Sequence, residues 1–153
     1  MRIFEYQGKE LFRKYGIPVP QGVIIDEKRE IGKIFPNIDK GNGVVMKAQV
    51  LVGGRGKAKG IRFAESVREC ESQYDELISL NISGHPVRKI LLEEKIKIQQ
   101  EFYLGIIVDT ETGQPEVIIC SRGGVDVEEI SKTHPGYLGK VAVDVAYGLL
   151  DYQ

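Results

Sequence analysis

Lys47, Arg55, Lys57 and Lys59 are the side chains of this 153-residue chain whose types and spacing could do chemistry. They fall within residues 44–60, VVMKAQVLVGGRGKAKG. The first half of that stretch is β-branched and apolar enough for a buried strand, and the second half is a glycine-rich loop. An ammonium inside an apolar strand is costly to bury unpaired, so Lys47 is expected to meet an anion at a strand face. Gly53, Gly54, Gly56 and Gly60 leave backbone N–H groups free to turn inward beneath three alternating cations, and phosphate is the first candidate for such a device. The duller alternative is a surface hairpin with solvated basic residues and a lysine on a half-exposed strand. Neither common phosphate fingerprint fits. A Walker A motif needs glycine where Leu51 stands and a hydroxyl residue where Ala58 stands. A Rossmann fingerprint starting at Gly54 needs glycine in place of Lys59 and a helix after the loop.

The elements that must hold this loop are legible in part. Phe4, Gly8, Leu11, Phe12 and Tyr15 recur at helical spacing before Gly16 and Pro18, which predicts a helix over 4–15. Pro18 and Pro20 force an extended approach to a strand at 23–25. Asp26 is placed to cap a second helix with Ile31, Ile34 and Phe35 on one face, stopped by Pro36 and Asn37. Residues 61–63 read as a short returning strand, which makes 44–63 a hairpin with the cationic loop as its long, mobile tip. Ser66 and Glu69 form a capping box for a helix reaching about residue 80, and 81–86 is a turn-rich connection. Strands follow at 87–93, 102–109 and 116–121, with ETGQP as the turn between the last two. A short acidic helix near 126–132 and a strand at 140–144 complete the order. The tail AYGLLDYQ carries apolar residues with no stop signal after them, so the chain is expected to break off within an element, leaving Leu149, Leu150 and Tyr152 nowhere to pack.

Composition bounds the class. Apolar content of 42% and charged content of 28% describe an ordinary globular protein, long enough for one domain or two small lobes. A net charge of −1 supplies no global field toward nucleic acid or an anionic membrane, so any cationic site is local. No stretch approaches transmembrane length, and the charged N-terminus lacks a secretory apolar run; the expected location is the cytoplasm. Cys70 and Cys120 read as reduced core thiols, and His85 and His134 as surface residues.

Four segments in order carry a family resemblance: MRIFEYQGKELFRKYGIPVP, VVMKAQVLVGGRGKAKG, ILLEEKIKIQQEFYLGIIVD and SRGGVDVEEI. Together they resemble the N-terminal part of the β subunits of succinyl-CoA synthetases, ADP-forming succinate–CoA ligases of the ATP-grasp superfamily, over essentially the whole chain. The resemblance implies an α+β ATP-grasp fold of two lobes, the second truncated. Residues 1–20 would start the larger lobe, 21–96 would form the smaller lobe with the phosphate loop, and 97–153 would resume the larger one.

By position, Lys47 resembles the family's strand lysine that contacts nucleotide phosphates, and Gly54, Arg55 and Gly56 its phosphate-covering loop. Glu93 to Ile96 would be the connector whose backbone meets the purine, with Glu93 near the base. Glu101 resembles the acceptor for the ribose hydroxyls. Pro20 favours ATP over GTP. Mg²⁺ would be held by residues outside this chain, as would succinate. The implied partners are an α subunit, which carries the phosphorylated histidine and binds coenzyme A, and the C-terminal part of the β subunit. The chain alone would be inactive. Alternatives are the β subunit of another acyl-CoA ligase, such as a malate–CoA ligase, or a non-catalytic nucleotide-binding or subunit-interaction module.

Overall fold

The computed structural model describes residues 2–123, 130 and 133–153. The acidic helix expected near 126–132, and most of the SRGGVDVEEI segment, lie outside the described residues. The chain divides into two compact units, Met1–Ile96 and Lys97–Gln153.

The first unit is built on a four-stranded antiparallel sheet. Its strands are β1 (Gly22–Ile25), β2 (Val44–Ala48), β3 (Ile61–Ala64) and β6 (Ile90–Glu94), in the order β1-β6-β2-β3. Alternation along β2 sends Val44, Met46 and Ala48 into the core and leaves Val45 and Lys47 on the opposite face. Helices α2 (Ile31–Ile38) and α3 (Val67–Ile78) complete that core with Ile31, Phe35, Ile38, Cys70, Tyr74 and Leu77. The Ser66 hydroxyl caps α3 by accepting from the Glu69 N–H at 3.2 Å.

Several boundaries depart from expectation for local reasons. Asp26 does not cap the second helix: Glu30 accepts from the N–H groups of Asp26 and Glu27, and a single 3-10 turn, Lys28–Glu30, precedes α2. Pro36 does not stop α2 either. It lies on the exposed side, so only the Gly32 carbonyl loses its helical donor, and the buried stripe continues to Ile38. The strand expected from 87 starts at Ile90, because the Val87 N–H is spent on the Leu80 carbonyl. That bond closes the small hairpin of β4 (Asn81–Ile82) and β5 (His85–Pro86), turned at Ser83 and Gly84, both at positive φ.

Helix α1 (Glu5–Lys14) forms where expected, but its expected apolar face is not the docked one. Leu11, Phe12 and Tyr15 are exposed, and the helix is held to the first unit through charges. Residues 1–20 fall within the compact unit Met1–Ile96.

The second unit is a three-stranded antiparallel sheet of β7 (Tyr103–Val108), β8 (Pro115–Cys120) and β9 (Leu138–Ala142). The turn after β7 is organised by Asp109, whose carboxylate accepts from the Glu111 N–H and the Thr112 hydroxyl. β9 runs two residues earlier than the expected 140–144, its register fixed by Leu138 opposite Cys120. Leu149, Leu150 and Tyr152 are exposed.

Candidate functional site

Lys47 is paired, as an ammonium at this depth must be. On its face of the sheet, Glu93 is the diagonal cross-strand neighbour, since Val45 stands opposite Glu93 and Lys47 opposite Leu91. The Lys47 ammonium lies 2.6 Å from one Glu93 carboxylate oxygen and 3.2 Å from Glu5 of α1. The other Glu93 oxygen accepts from Lys9, which also meets Glu5 at 2.8 Å, one helical turn away. Arg55, from the hairpin tip, donates through Nη1 to the second Glu5 oxygen at 2.5 Å and to the Ala48 carbonyl at 3.2 Å. One connected cluster results: Lys9, Lys47 and Arg55 against Glu5 and Glu93, three cations to two carboxylates.

The charge states follow from the surroundings. Burial opposes ionisation of Glu5, but Lys9, Lys47 and Arg55 outweigh it and hold the carboxyl down at about 2. Burial likewise favours neutral Lys47, and the hydrogen bonds and charges of Glu93 and Glu5 overcome it, so its pKa is raised. Glu93 is 1% exposed, enclosed where Lys9 and Lys47 reach it.

Two features of the sequence make room for this arrangement. Gly22 is paired with Glu93 across the β1–β6 ladder, and a Cβ there would stand 2.7 Å from Glu93 Cγ. A side chain at 22 would evict the carboxylate. Gln49, almost fully buried, ties α1 to the end of β2: its side-chain oxygen accepts from the Tyr6 N–H at 3.3 Å and its amide donates to the Lys47 carbonyl at 3.0 Å.

The glycine loop is wound rather than open. Ala58 N–H bonds to the Gly54 carbonyl, Lys59 to Gly56 and Gly60 to Arg55, with Gly54 at φ +79°. Gly60 then returns the chain to β2 through its carbonyl, which accepts from the Ala48 N–H. The winding brings Arg55 back to the strand that carries Lys47. Arg55 and its partner Glu5 border an open hollow of about 340 Å³, lined also by Arg2, Ile3, Val50, Leu51 and Val52.

Of the residues singled out in the sequence, Lys47, Arg55 and Glu93 are thus brought together. Gly54 and Gly56 lie exposed in the same loop, as do Lys57 and Lys59. Ile96 is exposed at the end of the first unit. Glu101 belongs to the second unit, where it is exposed and its carbonyl accepts from the Gly123 N–H at 2.9 Å. His85 and His134 are exposed, and Cys70 and Cys120 are free, buried thiols. Sequence reasoning missed Glu5, Lys9, Gly22 and Gln49. The available signal was Glu5–Lys9 at i,i+4 in a helix read only for its apolar residues.

No group of three or more His, Cys, Asp or Glu among the described residues could hold a metal ion, and no described helix is long and apolar enough to cross a membrane. The arrangement can bind an anion by offering Lys47 and Arg55 from a strand and a loop.

The model of the ATP-grasp domain family matches residues 2–153. The succinate–CoA ligase [ADP-forming] subunit beta of Methanocaldococcus jannaschii is 43% identical over 152 residues, 99% of this chain and 41% of that protein. The chain spans about two-fifths of the length of the curated relatives it matches. In fold it is similar to the dinucleotide-forming acetyl-coenzyme A synthetase 1 of Ca. Korarchaeum cryptofilum, solved with coenzyme A, Ca-AMPCP and HgCl⁺ (TM-score 0.72, 23% identity, 91% of this chain and 59% of that one). It is similar also to the ATP citrate lyase of Methanothrix soehngenii, solved with citrate and coenzyme A (TM-score 0.72, 20% identity, 98% and 37%).

Proposed function

The chain belongs to the ATP-grasp domain family, and we propose that it is the nucleotide-binding N-terminal part of the β subunit of an ADP-forming succinate–CoA ligase. The similarity to such subunits over the whole chain supports this. The observation that carries it is the convergence of Lys47 and Arg55 on one carboxylate, Glu5, which with Arg55 borders the open hollow, in a cluster whose cations outnumber its carboxylates. That surplus suits a polyphosphate, whose charge in a phosphoryl-transfer step is stabilised chiefly by positioned cations.

In this reading Lys47 and Arg55 neutralise charge on the nucleotide phosphates, and Gly54 and Gly56 let the loop backbone approach them. Glu93 serves from the neighbouring strand as the counter-ion that fixes Lys47, and the backbone out to Ile96 meets the purine. Glu101 enters through the family resemblance alone, as the acceptor for the ribose hydroxyls. ATP is preferred to GTP. The ligands of Mg²⁺ belong to the remainder of the subunit. In the full complex, in the cytoplasm, succinate, coenzyme A and ATP would give succinyl-CoA, ADP and phosphate, reversibly, through a phosphohistidine on the α subunit.

Calorimetry with ATP and GTP on the wild-type chain and on Lys47→Ala tests the reading. ATP should bind more tightly than GTP, and Lys47→Ala should lose about tenfold or more in affinity, the size expected of one charge-assisted contact. Equal binding by both proteins removes Lys47 from the site. The variant should stay folded, because Glu93 retains Lys9 and Glu5 retains Lys9 and Arg55.

A further inference from the structure

Arg55 and Lys47 are held differently within the cluster. Lys47 has two carboxylate partners, and the nearer, Glu93 at 2.6 Å, is buried on the same face of the sheet. Glu5, at 3.2 Å, is its second and more distant partner. For Arg55, Glu5 is the only carboxylate partner found among the described residues, and the guanidinium reaches it from a loop bordering the open hollow. A phosphate entering that hollow needs the donors that Glu5 holds. A carboxylate and a phosphate oxygen are alternative acceptors for the same guanidinium N–H.

We infer that Glu5 is a positioning residue that docks Arg55 against β2 as an internal stand-in for phosphate, so that phosphate binding is an exchange of Arg55 from Glu5 to the ligand. The inference rests on the nucleotide reading above and assigns α1 a part in it. Lys47 stays on Glu93 throughout, the fixed half of the site, and Arg55 is the half that moves. Glu5 remains held by Lys9 and Lys47 after the exchange, so its charge is not stranded. Gly54, at positive φ with no atom near a would-be Cβ, gives the loop room to let Arg55 turn.

The test is calorimetry with inorganic tripolyphosphate and with ATP on the wild-type chain, Glu5→Gln, Arg55→Ala and the double variant. Removing the competing carboxylate should tighten tripolyphosphate binding about tenfold, the scale of one charge-assisted hydrogen bond. In the Arg55→Ala background the gain should shrink to less than about twofold, since a contact between two residues disappears once either is gone. A general electrostatic effect of losing a negative charge would persist in both backgrounds, and that result overturns the inference. So does Glu5→Gln binding no more tightly than wild type. In the wild-type chain, saturating tripolyphosphate should speed amide exchange at residues 5–9 and slow it at 53–60; unchanged protection at 5–9 also overturns the inference, whatever the variants' folding. If the wild type binds and Lys47→Ala weakens it while Glu5→Gln brings no gain, only the exchange falls. If neither wild type nor Glu5→Gln binds either ligand, the nucleotide reading falls and the exchange with it.

Discussion

In Met1–Ile96 the sheet turns Val44, Met46, Ala48, Ile90 and Leu92 onto a face that α2 and α3 cover, and each is buried. In Lys97–Gln153 the sheet carries Leu104, Ile106 and Val108 on one face, and they are 67%, 73% and 65% exposed. The backbone ladders are of the same kind, antiparallel and in regular register. What differs is the second layer. A ladder satisfies N–H and C=O groups wherever it forms, whereas apolar burial, the dominant favourable contribution, requires something to pack against. In the second unit only Cys120 and Ile130 are buried among the described hydrophobic residues. The first unit has a core that can carry the cost of desolvating Glu93 and Lys47; the described residues of the second offer little burial to set against such a cost.

The most severe way to probe that contrast is to strand the buried charges. Glu93→Ala should destabilise the first unit by about 3 kcal/mol, the low end for breaking a buried ion pair, because Lys9 and Lys47 keep Glu5. Urea unfolding followed by circular dichroism measures this. A loss below about 1 kcal/mol would mean that water already solvates the cluster and that the two units differ less than their burial suggests.

Acid should separate the units next. The Glu5 carboxyl sits at about 2 against an ordinary 4.5, so between those values the unfolded chain binds the more protons. Its stabilisation, of order 3 kcal/mol, is therefore present above about pH 5 and lost as pH falls toward 2. Lys47 works in the opposite sense. Its raised pKa contributes fully below about 10.5 and is lost as pH rises through the folded value. Asp109 of the second unit is also lowered, by the Glu111 N–H and the Thr112 hydroxyl, but on an exposed turn. Thermal melts with amide exchange at pH 5 and pH 2.5 should show protection falling in β2 and β6 before β8. The reverse order would place the acid-sensitive charges elsewhere.

A smaller lever is the space kept for Glu93. Gly22→Ala puts a Cβ 2.7 Å from Glu93 Cγ and 3.1 Å from the Leu92 carbonyl. It should cost about 1–3 kcal/mol, as overpacking does, measurable by urea unfolding. It should also weaken anion binding, because Glu93 then no longer fixes Lys47. A neutral Gly22→Ala would show that β1 yields without disturbing the cluster.

How much of this was legible follows the same division. β2, β3, α3 and the hairpin could be read because alternation, a Ser–Glu cap and a glycine loop are local signals. Lys47 and Arg55 could be read because a cation in an apolar strand or glycine loop has few explanations. Their carboxylate partner Glu5 could not, since it is 42 residues from Lys47 and 50 from Arg55. The register placing Glu93 beside Lys47 is likewise a tertiary fact. α1 shows the limit most clearly: its period was right and its docked face was not, because ion pairs rather than Leu11, Phe12 and Tyr15 hold it. Pro36 misled because its position on the exposed side, not its identity, set its effect.

The smallest expected effect bears most directly on the contrast. Ile106 in β7 and Met46 in β2 are both large apolar residues inside antiparallel strands. Ile106 is 73% exposed, so truncating it removes little buried apolar area; Ile106→Ala should change stability by less than about 0.5 kcal/mol. Leu92→Ala, at a fully buried position, is the control and should cost about 2–5 kcal/mol. An exposed face bearing Leu104, Ile106, Val108 and Ile119 should also favour self-association. Ile106→Lys should then leave unfolding unchanged while lowering the association seen by sedimentation, because it charges the face without touching the ladder. If Ile106→Ala instead destabilised the chain as much as Leu92→Ala, that face would be covered, and the two units would be stabilised in the same way.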